Sequence, residues 1–332
     1  MFLLRFDMRS PADGAPTGDL YAAALEMASW CESRGALAAI VSEHHGLDDG
    51  YLPSPLVLAT ALAARTSTLA ITTAALILPL YDPIRLAEDL VVLDIISGGR
   101  VSHVLAVGYR PEEYEQHGVD FARRGRIADA HLALLLRAKT GEPFSHEGRR
   151  IHVTPAPVTP GGPTVMWGGG SAPAARRAGR HGLDFFAQGG GPELEAVYAE
   201  AARNAGVQAG TCLIPPPDLP TSVFVAHDVE QAWEELGPYL LHDALAYSAI
   251  NPDARGIASF SHATTVDELR AENRSHRILS VPEAIEAVHR GLPLNLQPLV
   301  GGLDPEVAWR YLRIVTDDVV GTADPAPAGP RS

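Results

Sequence analysis

Short apolar runs of β-type residues alternate with helical segments along most of this chain, and this alternation restricts the fold more than any other feature. Strand candidates LLRF (3–6), ALAAIVS (36–42), LAITTAALIL (69–78) and VSHVLAV (101–107) are each followed by a helical segment. Continuous apolar runs are typical of strands buried on both faces of a parallel sheet. The repeat therefore predicts a parallel α/β architecture.

The second half of the chain continues the repeat after an interruption. Further strand candidates lie at 163–170, 183–187, 223–226 and 294–300, which brings the total to about eight. We therefore predict a (β/α)8 TIM barrel with insertion segments. A doubly wound sheet is the alternative, but no Gly-rich turn with an acidic partner follows strand one.

A barrel of this type needs about 250 residues, and the chain has 332. We predict a single barrel domain over residues 1–320. The excess length is assigned to inserts near 141–163 and 240–280, which we expect to form walls and a lid over the site, and to a Pro/Ala-rich tail at 321–332.

Composition excludes several classes of partner and location. The formal net charge is −14 with no basic run, which argues against nucleic acid or an anionic membrane as a partner. Cys31 and Cys212 are too few for a disulfide framework, and no apolar run reaches the length of a membrane span. The N-terminus lacks the pattern of a signal peptide. We predict a soluble cytoplasmic protein.

The end of predicted strand two carries the strongest catalytic signal. Barrel enzymes place their chemistry where the strands end, and Glu43, His44 and His45 lie at such an end. Histidine titrates near neutrality and serves as acid, base or donor. We predict His44 and His45 as catalytic residues. A zinc site is the rival interpretation, but predicted strand one has no histidine, and we predict no metal.

Residues at the other strand ends are candidates for binding a flat, phosphorylated cofactor. A cation can hold a phosphate, although Arg110 can equally pair with Glu112 or Glu113. Glycines before a helix expose backbone N–H groups to an anion, and small residues allow a flat ligand to approach the backbone. The predicted cofactor contacts are Asp7, Thr73, Ala74, Ala75, Gly108, Tyr109, Arg110, Gly168, Gly169, Gly170 and Ser171.

Three blocks of sequence together resemble the bacterial-luciferase-like flavin monooxygenases. They are Glu43-His44-His45, the segment LPLYDPIRLAEDLVVLDIISGGRV at 78–101, and PLVGGL at 298–303. The resemblance covers residues 1–188 well and 220–320 more loosely. The middle block is the most specific, because many positions agree at fixed spacings.

The resemblance implies a TIM barrel, usually a homodimer, that binds reduced FMN or, in some branches, a deazaflavin coenzyme. It implies that His44 is catalytic and that Ala74-Ala75 forms a bulge, often with a cis peptide, that supports the flavin ring. Gly169, Gly170 and Ser171 match its phosphate-binding turn. The family's arginine before the strand-four glycine is replaced here by Val107, and Arg110 is the candidate replacement.

The function predicted from the resemblance is a flavin-dependent monooxygenase. It would use reduced FMN and O2 to oxidise a small organic substrate, with a separate flavin reductase as a possible partner. Hydride transfer with a deazaflavin on the same fold is the first alternative. A non-catalytic flavin-binding subunit is the second.

Overall fold

A computed structural model describes residues 1–216, 218–251 and 257–321 of the chain. The strands in this part are β1 (Phe2–Phe6), β2 (Ala36–Val41), β3 (Ala70–Ile77), β4 (Val101–Ala106), β5 (Phe144–His146), β6 (Arg149–Ile151), β7 (Thr164–Gly168), β8 (Phe185–Phe186), β9 (Cys212–Leu213), β10 (Ser222–Ala226), β11 (His276–Ser280) and β12 (Leu294–Leu296). The α-helices are α1 (Thr17–Glu32), α2 (Pro55–Arg65), α3 (Pro83–Ser97), α4 (Pro111–Gln116), α5 (Arg124–Ala138), α6 (Ala172–Arg180), α7 (Glu193–Ala205), α8 (Val229–Ile250), α9 (Val266–Glu272), α10 (Val281–His289) and α11 (Pro305–Ile314).

All strands except β5 and β6 belong to one parallel sheet. Its order is β11-β10-β12-β1-β2-β3-β4-β7-β8-β9, so the last strand of the chain pairs with the first. This return to β1 confirms the predicted TIM-barrel-like fold over the doubly wound alternative. Strands β5 and β6 form a separate antiparallel hairpin within the insert predicted at 141–163.

The strand order departs from simple sequential winding near the C-terminal end. Strand β10 lies between β12 and β11, although β11 comes between them in sequence. Strand β11 falls inside the 240–280 segment that the sequence analysis assigns to an insert. The strand predicted at 294–300 ends at Leu296, and a short 3₁₀ turn follows at Val300–Gly302.

Local sequence features account for the ends of several helices. The Asp82 side chain accepts from the N–H groups of Ile84 and Arg85 at the start of α3. Gly98 adopts the left-handed conformation that ends this helix. Pro55 likewise begins α2, although Ser54 makes no side-chain cap hydrogen bond.

The side chains of strand β1 alternate between the layer packed against the helices and the inside of the barrel. Phe2, Leu4 and Phe6 are buried against the helices, while Leu3 and Arg5 alternate with them and face into the barrel. No helix in the described part of the chain has the length and hydropathy to span a membrane. Of the predicted tail, residues 322–332 lie outside the described residues.

Candidate active site

A cavity of about 810 Å³ occupies the barrel interior and opens at the carboxyl ends of the strands. Inward-facing residues of the sheet form its lower walls, because alternate side chains of each strand point into the barrel. The residues predicted as site residues that line it are His44, Ala74, Ala75, Gly108, Tyr109, Gly168, Gly169, Gly170 and Ser171. The structure thus brings together residues from the ends of four strands.

His44 is held at the cavity wall by hydrogen bonds on both sides of its ring. Its Nδ1 lies 2.8 Å from Glu113 Oε1, and its Nε2 lies 3.1 Å from the Tyr109 hydroxyl. Burial works to raise the pKa of Glu113, but its hydrogen bonds with His44 and the His45 N–H, with the charge of Arg110, outweigh burial and lower that pKa. Glu113 is therefore an ionised acceptor.

The ionised Glu113 determines which nitrogen of the neutral His44 ring carries the proton and which one is basic. Because the carboxylate can only accept, Nδ1 of His44 must donate. Burial, reinforced by Tyr247 and Tyr51, raises the pKa of Tyr109, so its hydroxyl keeps its proton and donates to Nε2. In the neutral ring, Nε2 is the basic nitrogen, and its lone pair accepts from the Tyr109 hydroxyl on the cavity side.

His45 faces away from the cavity. Its Nε2 lies 2.7 Å from Glu43 Oε1, its backbone N–H donates to Glu113, and its carbonyl accepts from Arg110. Glu43 in turn accepts from the backbone N–H of Ile77. His45 is not among the residues that line the cavity, so the catalytic contact predicted for it is not supported by its position.

The end of β3 carries the features expected from the resemblance. The Ala74-Ala75 peptide is cis, and the pairing of β3 with β4 shifts register between Ala74 and Leu76. Both alanines line the cavity, whereas Thr73 points outward and its hydroxyl lies 3.1 Å from Nδ1 of His103. Thr73 therefore supports the wall from behind.

A glycine turn and a cation both line the cavity. Residues 168–171 line it, and α6 begins directly after Ser171, whose side chain makes no cap hydrogen bond. Arg124, at the start of α5, lines the same cavity. Exposed N–H groups, a free hydroxyl and a guanidinium suit a phosphate group.

Two further predicted cofactor contacts do not reach the cavity. Arg110 is buried with its NH1 donating to the His45 carbonyl at 2.7 Å and lying 3.3 Å from Glu113, as in the alternative pairing considered from the sequence. Asp7 is buried and accepts from the Arg9 N–H and the Gln297 side chain. Their polar groups are already committed within the protein.

Several cavity or positioning residues were missed from the sequence. Arg124 and Arg5 gave no signal because each lies among other charged or apolar residues without a motif, and Glu113 was considered only as a partner of Arg110. Of the two predicted inserts, 240–280 supplies Tyr247, Ala258 and Ser259 to the cavity wall, and none of the lining residues comes from 141–163. The walls therefore depend on α8 and the segment after it.

Replacement of Glu113 by glutamine tests the tautomer argument. The amide keeps the volume but replaces the charged acceptor of His44 by a neutral one. We expect kcat to fall by about 10- to 100-fold, because second partners of functional histidines carry effects of this size. Equilibrium binding of the flavin should stay within a factor of two or so of the unmodified protein, since Glu113 does not line the cavity. Unchanged kcat would contradict the argument.

Comparison with known proteins adds independent information on family. A family model described as "Luciferase-like monooxygenase" matches residues 2–291. The 4-hydroxyprotoasukamycin monooxygenase of Streptomyces nodosus subsp. asukaensis is 27% identical over 84% of this chain and 77% of its own length. The first curated relatives are matched over less of their own length, from 38% to 52%.

Solved structures share the fold at low identity. Monooxygenase RslO1 from Streptomyces bottropensis has a TM-score of 0.75 at 19% identity and covers 97% of this chain and 99% of its own. The oxygenating constituent of 3,6-diketocamphane monooxygenase from Pseudomonas putida, in complex with FMN, has a TM-score of 0.68 at 18% identity, covering 97% and 98%. These likenesses establish the barrel fold across the chain.

Proposed function

The chain belongs to the luciferase-like monooxygenase family, and from this premise we propose that it is a flavin-dependent monooxygenase that oxidises a small organic substrate with reduced FMN and O2. The observation that carries the proposal is the single cavity that joins His44, the Ala74-Ala75 bulge and the glycine turn ending at Ser171. A base, a flat support and an anion-binding turn are the parts that such an enzyme needs.

The residues present fit a flavin mononucleotide. Ala74 and Ala75 offer small side chains at the bulge, where a flat ring can approach the backbone. Gly169, Gly170 and Ser171 would hold the phosphate, with Arg124 supplying the cation that Val107 does not. We assign Arg124 this place instead of Arg110, because Arg124 lines the cavity and Arg110 does not. Arg124 donates from NH1 to the Phe121 carbonyl, whereas the guanidinium of Arg110 is buried against Glu113 and His45.

Reduced flavin, when bound, supplies the electrons for reaction with O2. The protein's own contribution is made by His44, whose Nε2 can take a proton from a substrate, or return one to it, through the Tyr109 hydroxyl. Glu113 stabilises the protonated ring through Nδ1, and Tyr109 holds the ring's cavity edge. His45 and Arg110 would act as positioning residues behind His44, and Glu43, which lines the cavity, would hold the His45 ring.

Exclusion of water is the second task of the cavity. Tyr247 on α8 lines the wall and accepts from the Gln188 side chain at 2.6 Å. Most of the remaining lining is apolar, including Leu3, Ile40 and Val104. A dry, apolar site would protect the reacting flavin from unproductive hydrolysis.

The proposal includes a separate flavin reductase and assembly of two copies of the chain. Helix α3 exposes Val92, Ile95 and Ile96 at helical spacing, and the neighbouring α2 exposes Val57. A contiguous exposed apolar face of this kind is typical of an interface between subunits. It supports the homodimer expected from the sequence resemblance.

The test is anaerobic equilibrium binding of reduced FMN and of a reduced deazaflavin coenzyme to the purified chain, followed by mixing with O2. We expect tight binding of reduced FMN and reoxidation by O2 at a rate different from that of free flavin. In Gly169→Ala, we expect affinity for reduced FMN to fall about tenfold or more. Gly169 has φ +129°, and an added Cβ would lie 2.9 Å from the Ala174 Cβ.

Gly18→Ala is the matched control, because an added Cβ at Gly18 meets no atom within 4 Å. It should bind reduced FMN with unchanged affinity. Binding of only the deazaflavin would replace the proposal by hydride transfer. Binding of FMN without oxidation of any substrate would favour a non-catalytic subunit, and binding of neither would remove the proposal.

A further inference from the structure

Arg5 is a cation inside the barrel that the function proposed above does not use. It lies on β1 and lines the cavity together with its strand neighbour Leu3. Within the described part of the chain, its guanidinium makes no hydrogen bond and no ion pair within 4 Å. An arginine offers five N–H donors, and donors that face a largely apolar cavity call for an acceptor.

The neighbouring carboxylates are already committed to other donors. Arg9, four residues further along the chain, pairs with Asp49 and lies 3.5 Å from Asp243 and 3.6 Å from Asp7. Asp243 also accepts from His276 at 3.0 Å, and Asp7 accepts from Gln297 at 2.7 Å. These carboxylates therefore act on Arg5 through their electrostatic fields and not through hydrogen bonds.

Those fields keep Arg5 charged. Burial works to lower its pKa, but electrostatic interactions with Tyr51, Asp243 and Asp7 outweigh burial and raise that pKa. The guanidinium is therefore a permanent cation whose hydrogen-bonding positions are open to a ligand.

Arg5 is separated from the turn assigned to the flavin phosphate. In the sheet, β1 is four strands away from β7, which carries that turn, so the two lie on different sides of the barrel. By register, Arg5 pairs with Ile40, which pairs with Thr72. Thr72 is two residues before Ala74, so Arg5 belongs to a deeper layer of the cavity than the bulge.

We propose that Arg5 binds the carboxylate of the organic substrate, and that the substrate is an acid with an apolar body. The planar guanidinium can form two parallel hydrogen bonds with a carboxylate, and Leu3 and Ile40 offer apolar contact beside it. This inference rests on the proposed function for the identity of the bound acid as substrate. It names the class of molecule that the same cavity takes.

Direct binding to the flavin-free chain tests the inference, with calorimetric titration of benzoate, octanoate and 4-phenylbutanoate and of their primary amides. We expect at least one acid to bind ten- to a hundredfold more tightly than its amide. Arg5→Met should remove this preference, and Arg5→Lys should keep the charge but weaken acid binding about tenfold. Arg85→Met, at an exposed position on α3, is the control and should retain the preference.

Thermal unfolding of each variant shows whether it is folded. If Arg5→Met does not fold, Arg5→Lys decides the test. Equal binding of acids and amides, or no binding of any acid, would overturn the inference. So would a loss of reduced FMN affinity in Arg5→Lys as large as the loss of acid affinity, because Arg5 would then serve the cofactor. Acid binding that depends on Arg5 in a chain that binds no flavin would leave this inference standing and remove the proposed function alone.

Discussion

Replacement of His44 by glutamine should lower kcat by about 100- to 10,000-fold, the usual range for loss of a general acid or base. Glutamine keeps a polar side chain of similar reach but cannot take up a proton. Nε2 of His44 is the nitrogen that faces the cavity, and Glu113 is the carboxylate that stabilises the proton on the ring. The measurement is single-turnover and steady-state oxidation of a substrate, with flavin affinity measured in parallel.

Flavin affinity should change much less than kcat, because the anion-binding turn and Arg124 lie on other elements of the barrel. His289→Gln is the matched control, since His289 is an exposed histidine at the end of α10 and does not line the cavity. It should turn over at the original rate. A His44→Gln variant with the original kcat would remove the assigned role.

The free energy of unfolding should fall in acid because of His103, and the His103→Gln variant should lack this acid-induced loss. Burial, the largest influence, lowers the pKa of His103 to about 3 from an ordinary value of 6.5. The folded state therefore excludes a proton that the unfolded chain accepts. Above pH 6.5 His103 is neutral in both states and costs no stability. As the pH falls from 6.5 towards 3, only the unfolded chain takes up the proton, and the free energy of unfolding falls.

The expected size follows from the pKa difference. At pH 4, about 3 kcal/mol of unfolding free energy should be lost in the original chain and retained in His103→Gln. Glutamine can still bond the hydroxyl of Thr73, which lies behind the cavity wall at β3. Urea unfolding at pH 7 and pH 4 measures the difference, with His289→Gln as the control that should follow the original chain. If the original chain and His103→Gln lose the same unfolding free energy between pH 7 and pH 4, His103 is not the cause of the acid sensitivity.

Much of the fold is encoded in short stretches of the sequence. The apolar runs locate β1 to β4 within a residue or two, and Asp82 and Gly98 bound α3 through contacts a few residues long. Such signals act locally, so they survive without knowledge of the rest of the chain. The exchange of β10 and β11 in the sheet has no local signature, because it depends on which strand edges meet.

The candidate site divides in the same way. Its position at the strand ends, the histidine at residue 44 and the glycine turn are visible as motifs. The roles of the charged residues are not visible in the sequence, because they depend on partners that are distant along the chain. His44 and Glu113 are 69 residues apart, and Arg110, an apparent phosphate ligand, is instead committed to that same carboxylate.

The sequence by itself determined the repeating strand and helix pattern, the barrel that follows from it and the strand ends where chemistry belongs, because propensity, capping and periodicity act over a few residues. Only the tertiary structure decided which cations face the cavity. Arg9 and Arg110 have carboxylates within ion-pairing distance, while Arg5 and Arg124 line the cavity. Closure of the barrel brings these groups together, and the distance between charged atoms then decides which of them pair and which are left to bind a ligand.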